Sequence, residues 1–346
     1  MKKIDIGGVV IGEGCDIAIQ SMLNVATCDI PAAINQINRL SEAGCDIVRL
    51  AVPDEAAAEA IGDIIKASPV PIVADIHFDY RLALRCIEQG VHKIRINPGN
   101  LGGEERAAAV AEAAGAAGIP IRIGVNGGSL EAGLLEKCGG DLARAMVESA
   151  RGHIEILNRY GFDDIVLSMK SSDVRTTIAA YRLADSEFDY PLHLGVTEAG
   201  TTREGIVKSA IGIGSLLADG IGSTIRVSLT DDPVQEVEAA KLILKSLDLY
   251  GDCVTVVSCP TCGRTKIDLI PIANAVTEAV SGIRKKLKVA VMGCVVNGPG
   301  EASDADIGIA GGNGCAVLFK KGEIIGKIPE SEIVGRLIEE INQIEN

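Results

Sequence analysis

The sequence predicts an α/β fold, a TIM (β/α)8 barrel over residues 1–250 followed by a small α+β domain over residues 251–346. Three observations predict it. Short apolar runs alternate with longer helical patterns from residue 15 to about residue 250. The runs read as apolar on both faces, which suits a parallel sheet covered by helices. Beyond residue 251 the alternation stops, and closely spaced cysteines appear between turn-forming glycines and prolines.

The strand candidates are residues 15–20, 46–51, 71–75, 93–97, 121–125, 164–169, 191–196 and 223–228. Helical patterns follow each of them, at 31–43, 54–66, 79–88, 104–117, 141–160, 172–184, 202–218 and 233–249. Repeated βα units over this length predict a closed barrel. An open doubly wound sheet is the alternative, but no G-x-G-x-x-G follows the first strand. In the remainder, residues 254–257, 289–292, 307–310 and 316–319 read as strands, and 269–283 and 330–344 as helices.

Apolar residues make up 47% of the 346, aromatics only 3%, and Trp is absent, so the core is expected to rest on small and branched side chains. The net charge of −14 argues against a nucleic-acid partner, because phosphate repels an acidic chain that has no basic block. The first five residues carry no apolar core or cleavage site, so no signal peptide is expected. The longest uncharged run, 307–319, is too short to span a bilayer. A cytoplasmic protein without membrane contact is the expectation. Seven of the ten cysteines, Cys15, Cys28, Cys45, Cys86, Cys138, Cys253 and Cys315, are scattered singly and read as small buried hydrophobes.

Catalytic groups of a TIM barrel project from the C-terminal ends of its strands. Here those ends carry Arg49, Asp75, His77, Arg95, Asn97, Arg122, Asn126, Ser168, Lys170, Thr197, Glu198, Arg226 and Ser228. Four arginines and a lysine at one mouth of an acidic protein repel one another and call for an anion. The planar fork of arginine matches phosphate oxygens, so a small polyanion is expected, most simply a diphosphate. Asp75 and Glu198 are the main acids expected to offset these charges. Any one arginine could instead pair with a carboxylate, and His77 could simply hydrogen-bond a backbone carbonyl. Glu198, an isolated acid among cations, is a candidate proton donor or acceptor, with a structural salt bridge as the plainer reading. His153 and His193 lie inside a helix and a strand, where structural roles are more common.

The second domain holds C-x2-C-x31-C-x6-E, formed by Cys259, Cys262, Cys294 and Glu301. Structural zinc normally takes four protein ligands from cysteine and histidine, so three thiolates and a carboxylate suit it poorly. A cubane iron–sulfur cluster with one iron bound by oxygen fits better. A carboxylate is a harder ligand than thiolate, so it binds that iron more weakly and a substrate oxygen can displace it.

The motifs are Q-S-M at 20–22, V-R-L-A-V-P at 48–53, A-D-I-H-F at 74–78, I-R-I-N-P-G-N at 94–100, I-R-I-G-V-N at 121–126, L-G-V-T-E-A-G at 194–200, S-C-P-T-C-G-R at 258–264 and M-G-C-V-V-N-G-P-G-E at 292–301. On these the chain closely resembles, nearly end to end, the two-domain bacterial form of the 4-hydroxy-3-methylbut-2-enyl diphosphate synthases. The resemblance implies reductive ring opening of 2-C-methyl-D-erythritol 2,4-cyclodiphosphate in isoprenoid precursor synthesis. It implies one [4Fe–4S] cluster per chain, held by Cys259, Cys262, Cys294 and Glu301. It implies that Arg49, His77, Arg95, Arg122, Asn126, Lys170, Arg226 and Ser228 hold the diphosphate, with Asn97 near it and Glu198 facing the reacting carbons. It further implies reduced flavodoxin or ferredoxin as electron donor, and a homodimer in which the barrel of one chain faces the cluster domain of the other. Two rival readings are a non-redox barrel transferase with a zinc-stabilised tail, and an iron sensor or scaffold; the latter gives the barrel cations no purpose.

Overall fold

The computed structural model describes residues 1–97, 101–295, 302 and 304–344. They divide into two compact units, Met1–Leu249 and Tyr250–Asn346.

The first unit is a TIM barrel. A hairpin, β1 (Ile4–Ile6) and β2 (Val9–Ile11), precedes it. The barrel strands are β3 (Ala18–Met22), β4 (Ile47–Ala51), β5 (Ile72–Asp75), β6 (Lys93–Ile96), β7 (Ile121–Asn126), β8 (Ile165–Lys170), β9 (His193–Leu194) and β10 (Thr224–Ile225). All pair in parallel in the order β8-β7-β6-β5-β4-β3-β10-β9. A parallel bridge between Leu167 and Leu192 closes the ring. Helices follow the strands, and six of them start on an aspartate whose carboxylate accepts a backbone N–H of the first turn: Asp29, Asp54, Asp79, Asp141, Asp173 and Asp232. Each such cap satisfies an orphan donor and complements the helix dipole, which gives part of the acidic charge a structural role.

The sequence expectation for this unit needs three corrections. The hairpin was not foreseen. Its Ile4, Ile6 and Ile11 are buried against Ala18, Ile47, Val73 and Val166, the inward residues at the N-terminal end of the barrel, so it plugs the floor. The seventh and eighth strands are two residues long where six were expected. Beyond them the backbone still pairs once, Arg226 N–H to the Leu194 carbonyl, before both segments turn into loops. Finally, the barrel strands are not apolar on both faces. In-register pairing sets Arg95 beside Asp75 and Arg122, and sets Lys170 beside Asn126, all on the inward face.

The second unit is a five-stranded mixed sheet. β11 (Val254–Ser258), β12 (Leu287–Met292) and β13 (Ile307–Gly312) run parallel; β14 (Cys315–Lys320) and β15 (Glu323–Pro329) continue antiparallel. Helices Leu269–Val280 and Ile333–Gln343 cover a core that includes Val276, Val289, Ile309 and Leu337. β15 was missed because its outer face is exposed and its pattern is weakly apolar.

No helix among the described residues is long and apolar enough to cross a membrane. All ten cysteines are free thiols. Of the seven isolated ones only Cys45 and Cys86 are buried, and burial pushes both thiols up to about 12. Cys28 is exposed, and the other four are half-buried, so the reading of these seven as buried hydrophobes holds for two of them.

Candidate active site in the barrel and cysteine edge of the second unit

The inward positions of the barrel carry charge where branched apolar residues are usual. Arg49 lies on β4, Lys93 and Arg95 on β6, Arg122 on β7, Lys170 at the end of β8, and Arg226 one residue past β10. All are buried except Arg226, which is nearly so.

Asp75 balances the first group. Arg95 donates to its Oδ1 at 3.1 Å, Arg49 Nε lies 3.7 Å from Oδ2, and His77 Nε2 lies 3.5 Å from Oδ2. Burial alone would raise this carboxyl, but Arg49, His77 and Arg95 together hold it well below the usual carboxylate range. His77 is therefore engaged by a carboxylate, and lies 3.4 Å from Arg95, rather than being tied to a backbone carbonyl.

The second balancing acid is Glu236, in the first turn of the helix Pro233–Ser246. Its carboxylate accepts from Ser21 Oγ at 3.0 Å, the Leu229 amide at 3.0 Å, and Arg226 at 3.4 Å. Sequence reasoning missed Glu236 because it follows the strand by ten residues. It gave the balancing role to Glu198, which is exposed and has no ion pair among the described residues. Glu198 instead sits at φ 52°, a left-handed backbone seldom adopted by a glutamate. Such strain at the end of a barrel strand fits a residue aimed for function.

Among the described residues several buried donors have no acceptor: Arg95 Nε, Arg122 Nε, one terminal nitrogen of Arg122, and Gln20 Nε2. Arg122 spends its other terminal nitrogen on Ser168 Oγ at 3.1 Å. Arg49 points its Nε and one terminal nitrogen at the Met22 thioether, at 3.2 and 2.9 Å. Burial, then the neighbouring arginines, lowers Arg49 to about 10 despite Asp75. Unpaired guanidinium nitrogens in a buried enclosure suit an oxyanion with several acceptor oxygens. Close approach of backbone makes room for the cations. A Cβ on Gly195 would lie 2.6 Å from Lys170 Nζ, and one on Gly124 would overlap the Arg95 guanidinium.

Of the remaining predicted positions, Asn97 is buried just past β6, Asn126 ends β7 and is half-buried, and Ser228 is half-buried beyond β10. Lys93 and His193 were not foreseen as members of this interior. The alternation in K-I-R-I-N at 93–97 was the available signal for Lys93.

In the second unit, Cys259 directly follows β11 and Cys294 lies two residues past β12. These strands are parallel neighbours, with Ser258 paired to Val291, so both cysteines leave the same edge of the sheet. The Gly293 N–H donates to Cys259 Sγ at 3.2 Å. Cys262 is exposed, and hydrogen bonds from the Arg264 amide and side chain lower its thiol below the usual value. N–H donors and a nearby guanidinium favour thiolate, the ligating form. Among the described residues no three Cys, His, Asp or Glu side chains gather closely enough to share a metal ion. Glu301 and residues 98–100 lie outside the described residues. Cys259, Cys262 and Cys294 are therefore not gathered into a ligand set here; their thiols suit an iron–sulfur group by their chemistry, and Cys259 and Cys294 leave the same end of the sheet.

Residues 1–241 match the family model of the GcpE TIM-barrel domain, and residues 255–343 match that of the GcpE protein C-terminal domain. The chain belongs to this family. A curated relative from Ruminiclostridium cellulolyticum is 57% identical over 343 residues, covering 99% of this chain and 97% of its own. One from Clostridium tetani is 55% identical over 342 residues, with 99% and 98% covered. Both are named 4-hydroxy-3-methylbut-2-en-1-yl diphosphate synthase (flavodoxin). The GcpE barrel also resembles solved structures of other proteins at the level of fold. The Yersinia pestis dihydropteroate synthase superposes with a TM-score of 0.50 at 14% identity, over 71% of this chain and 98% of its own. The Bacillus subtilis spore coat polysaccharide biosynthesis protein spsE reaches 0.52 at 10% identity, over 71% and 73%.

Proposed function

We propose that the chain is an iron–sulfur oxidoreductase that opens 2-C-methyl-D-erythritol 2,4-cyclodiphosphate by reductive dehydration, yielding (E)-4-hydroxy-3-methylbut-2-enyl diphosphate. The observation that carries this reading is the charge of the barrel interior. Six basic side chains share this interior with the carboxylates Asp75 and Glu236, which pair with Arg49, Arg95 and Arg226, and among the described residues buried guanidinium nitrogens are left without acceptors. A diphosphate supplies the missing charge and the missing oxygens. The names of the relatives give the product, 4-hydroxy-3-methylbut-2-en-1-yl diphosphate, and flavodoxin, which supports reduced flavodoxin as the donor here, with ferredoxin an equivalent low-potential carrier.

Arg49, Arg95, Arg122, Lys170 and Arg226 bind the diphosphate, with His77, Asn97, Asn126 and Ser228 at the rim. Holding both phosphates keeps the leaving end of the opened ring in place, so the reacting carbons stay fixed while bonds change. Developing negative charge on the diphosphate oxygen is stabilised by cations already in position, which require no reorganisation during the reaction. The reaction takes up two electrons and one proton, breaks a ring C–O bond and releases one hydroxyl as water. Glu198 delivers the proton from the loop that follows β9. Cys259, Cys262, Cys294 and Glu301 would hold one [4Fe–4S] cluster, which would supply single electrons and Lewis acidity. The barrel and the cysteines belong to different units, and the working assembly is a homodimer that sets the barrel of one chain against the cluster of the other.

Anaerobic purification, iron and zinc analysis, and low-temperature EPR of the reduced protein test the cofactor. About four irons per chain with a reduced cubane signal is the expected result. Zinc with no EPR signal contradicts it.

A further inference from the structure

From Lys170 a buried polar layer extends deeper into the barrel, and binding at the mouth does not account for its other members. Lys93 begins β6, is fully buried, and reaches across the barrel to Gln20 Oε1 on β3 at 3.4 Å. Lys170 Nζ meets His193 Nε2 at 3.4 Å, and His193 Nδ1 lies 2.7 Å from Thr224 Oγ1. With His193 neutral, the short contact to Thr224 fits a proton on Nδ1 that donates to Thr224 Oγ1, leaving Nε2 to accept from Lys170 Nζ, which donates as amine or as ammonium. Five strands contribute to this layer, and both Gln20 Nε2 and Arg122 nitrogens nearby are buried without acceptors.

Its charge cannot be balanced from within. Arg49, Arg95, Arg122 and Arg226 are fixed cations, and Asp75 and Glu236 are the carboxylates that face them. The fixed charges already exceed the acids, before Lys93, Lys170 or His193 is protonated. Desolvation and like-charge repulsion both disfavour adding ammonium groups to such an enclosure. Burial first, then Arg122 and Arg49, drives Lys93 well below the ordinary lysine value. Burial, then Arg122, Arg226, Arg49 and Arg95, does the same to Lys170. Burial, then Arg122, Lys170, Lys93 and Arg49, keeps His193 neutral.

We propose that Lys93 and the Lys170–His193 pair form a deeper layer of the diphosphate site, which takes up protons when the anion binds. This rests on the diphosphate reading of the barrel. A bound diphosphate adds negative charge at the open side of the layer, so the ammonium forms become favoured and bind it in turn. Lys93 is then a long-range contributor to affinity, and His193 is a positioning residue that holds Lys170 Nζ toward the ligand. The sign is fixed by linkage: a group lowered in the free protein and restored in the complex binds a proton on association, so affinity falls as pH rises toward the ordinary lysine value.

The test is calorimetric titration of the full chain with the cyclic diphosphate at about pH 8, in two buffers of different ionisation enthalpy. Each phosphorus of the cyclic diphosphate carries one strongly acidic hydroxyl, so protons taken up from the buffer near neutrality are bound by the protein and not by the ligand. Uptake of about one proton per chain is expected, reduced by about half or more in Lys93→Met or His193→Asn while binding persists. Binding without proton uptake in the native protein overturns the proposal and leaves the diphosphate reading standing. Unchanged uptake in both variants overturns it equally. No binding at all overturns the diphosphate reading and this inference with it.

Discussion

Arg122 concentrates the argument at the scale of single residues. It is 1% exposed, bonds Ser168 through one nitrogen, and leaves two others unpaired. Each charge-assisted bond to a ligand oxygen contributes about 1.5–3 kcal/mol, so Arg122→Met is expected to weaken cyclodiphosphate binding about 10–100-fold. Titration calorimetry reads this directly, and unchanged affinity would show that the anion sits elsewhere. Glu198 differs in kind, since it is exposed, strained and outside the ion pairs of the barrel. Glu198→Gln is expected to keep binding within about threefold and to lower turnover about 10²–10⁴-fold, the usual range for a lost proton donor. Lost binding with normal residual turnover would make it a substrate-holding residue instead. Much at this scale was legible in the sequence. Every cation placed at the barrel mouth lies inside or at the edge of the barrel, because strand ends can be read from the last apolar residue of each run. Glu236 was hidden, since a helix residue that reaches back to a strand leaves no local pattern. Glu301 and the residues just after Asn97 fall outside the described residues, so their roles rest on the family motifs.

At the scale of elements, alternation decides which strand residues look inward. K-I-R-I-N on β6 and I-R-I-G-V-N on β7 send charge to the axis and isoleucine to the helices. Reading those runs as apolar on both faces concealed Lys93, although the period-2 pattern was present. The floor hairpin escaped notice for another reason: three-residue strands give too short a pattern, and their role appears only when Ile4, Ile6 and Ile11 close the barrel bottom. Gly195 shows how backbone serves the site. Added bulk there meets Lys170 Nζ and the Arg226 carbonyl, at 2.6 and 2.7 Å. Gly195→Ala is expected to displace Lys170 and weaken diphosphate binding about tenfold, with a stability loss of about 1–3 kcal/mol from overpacking. Binding calorimetry and thermal unfolding separate the two effects. An unaltered affinity would mean that Lys170 does not hold the ligand.

For the whole molecule, the central consequence is that cations and cysteines lie on separate compact units, Met1–Leu249 and Tyr250–Asn346. Under the proposed cross-chain arrangement, Glu198→Gln and Cys259→Ser are each nearly inactive alone. Mixed and reassociated, they restore roughly a quarter of native activity, because half of random dimers are heterodimers with one intact site of two. No recovery would place both parts of the site in one chain. The net charge of −14 sits mainly on the exterior and at helix caps, while the barrel interior is cationic, so whole-chain composition described the partners it excludes better than the ligand it binds. The most direct measurement is anaerobic turnover of 2-C-methyl-D-erythritol 2,4-cyclodiphosphate by the purified chain with reduced flavodoxin or a chemical reductant. Reductant-dependent formation of the linear allylic diphosphate, abolished in Cys259→Ser, is the predicted result. An unchanged cyclodiphosphate in the presence of an intact, reducible cluster would contradict the account.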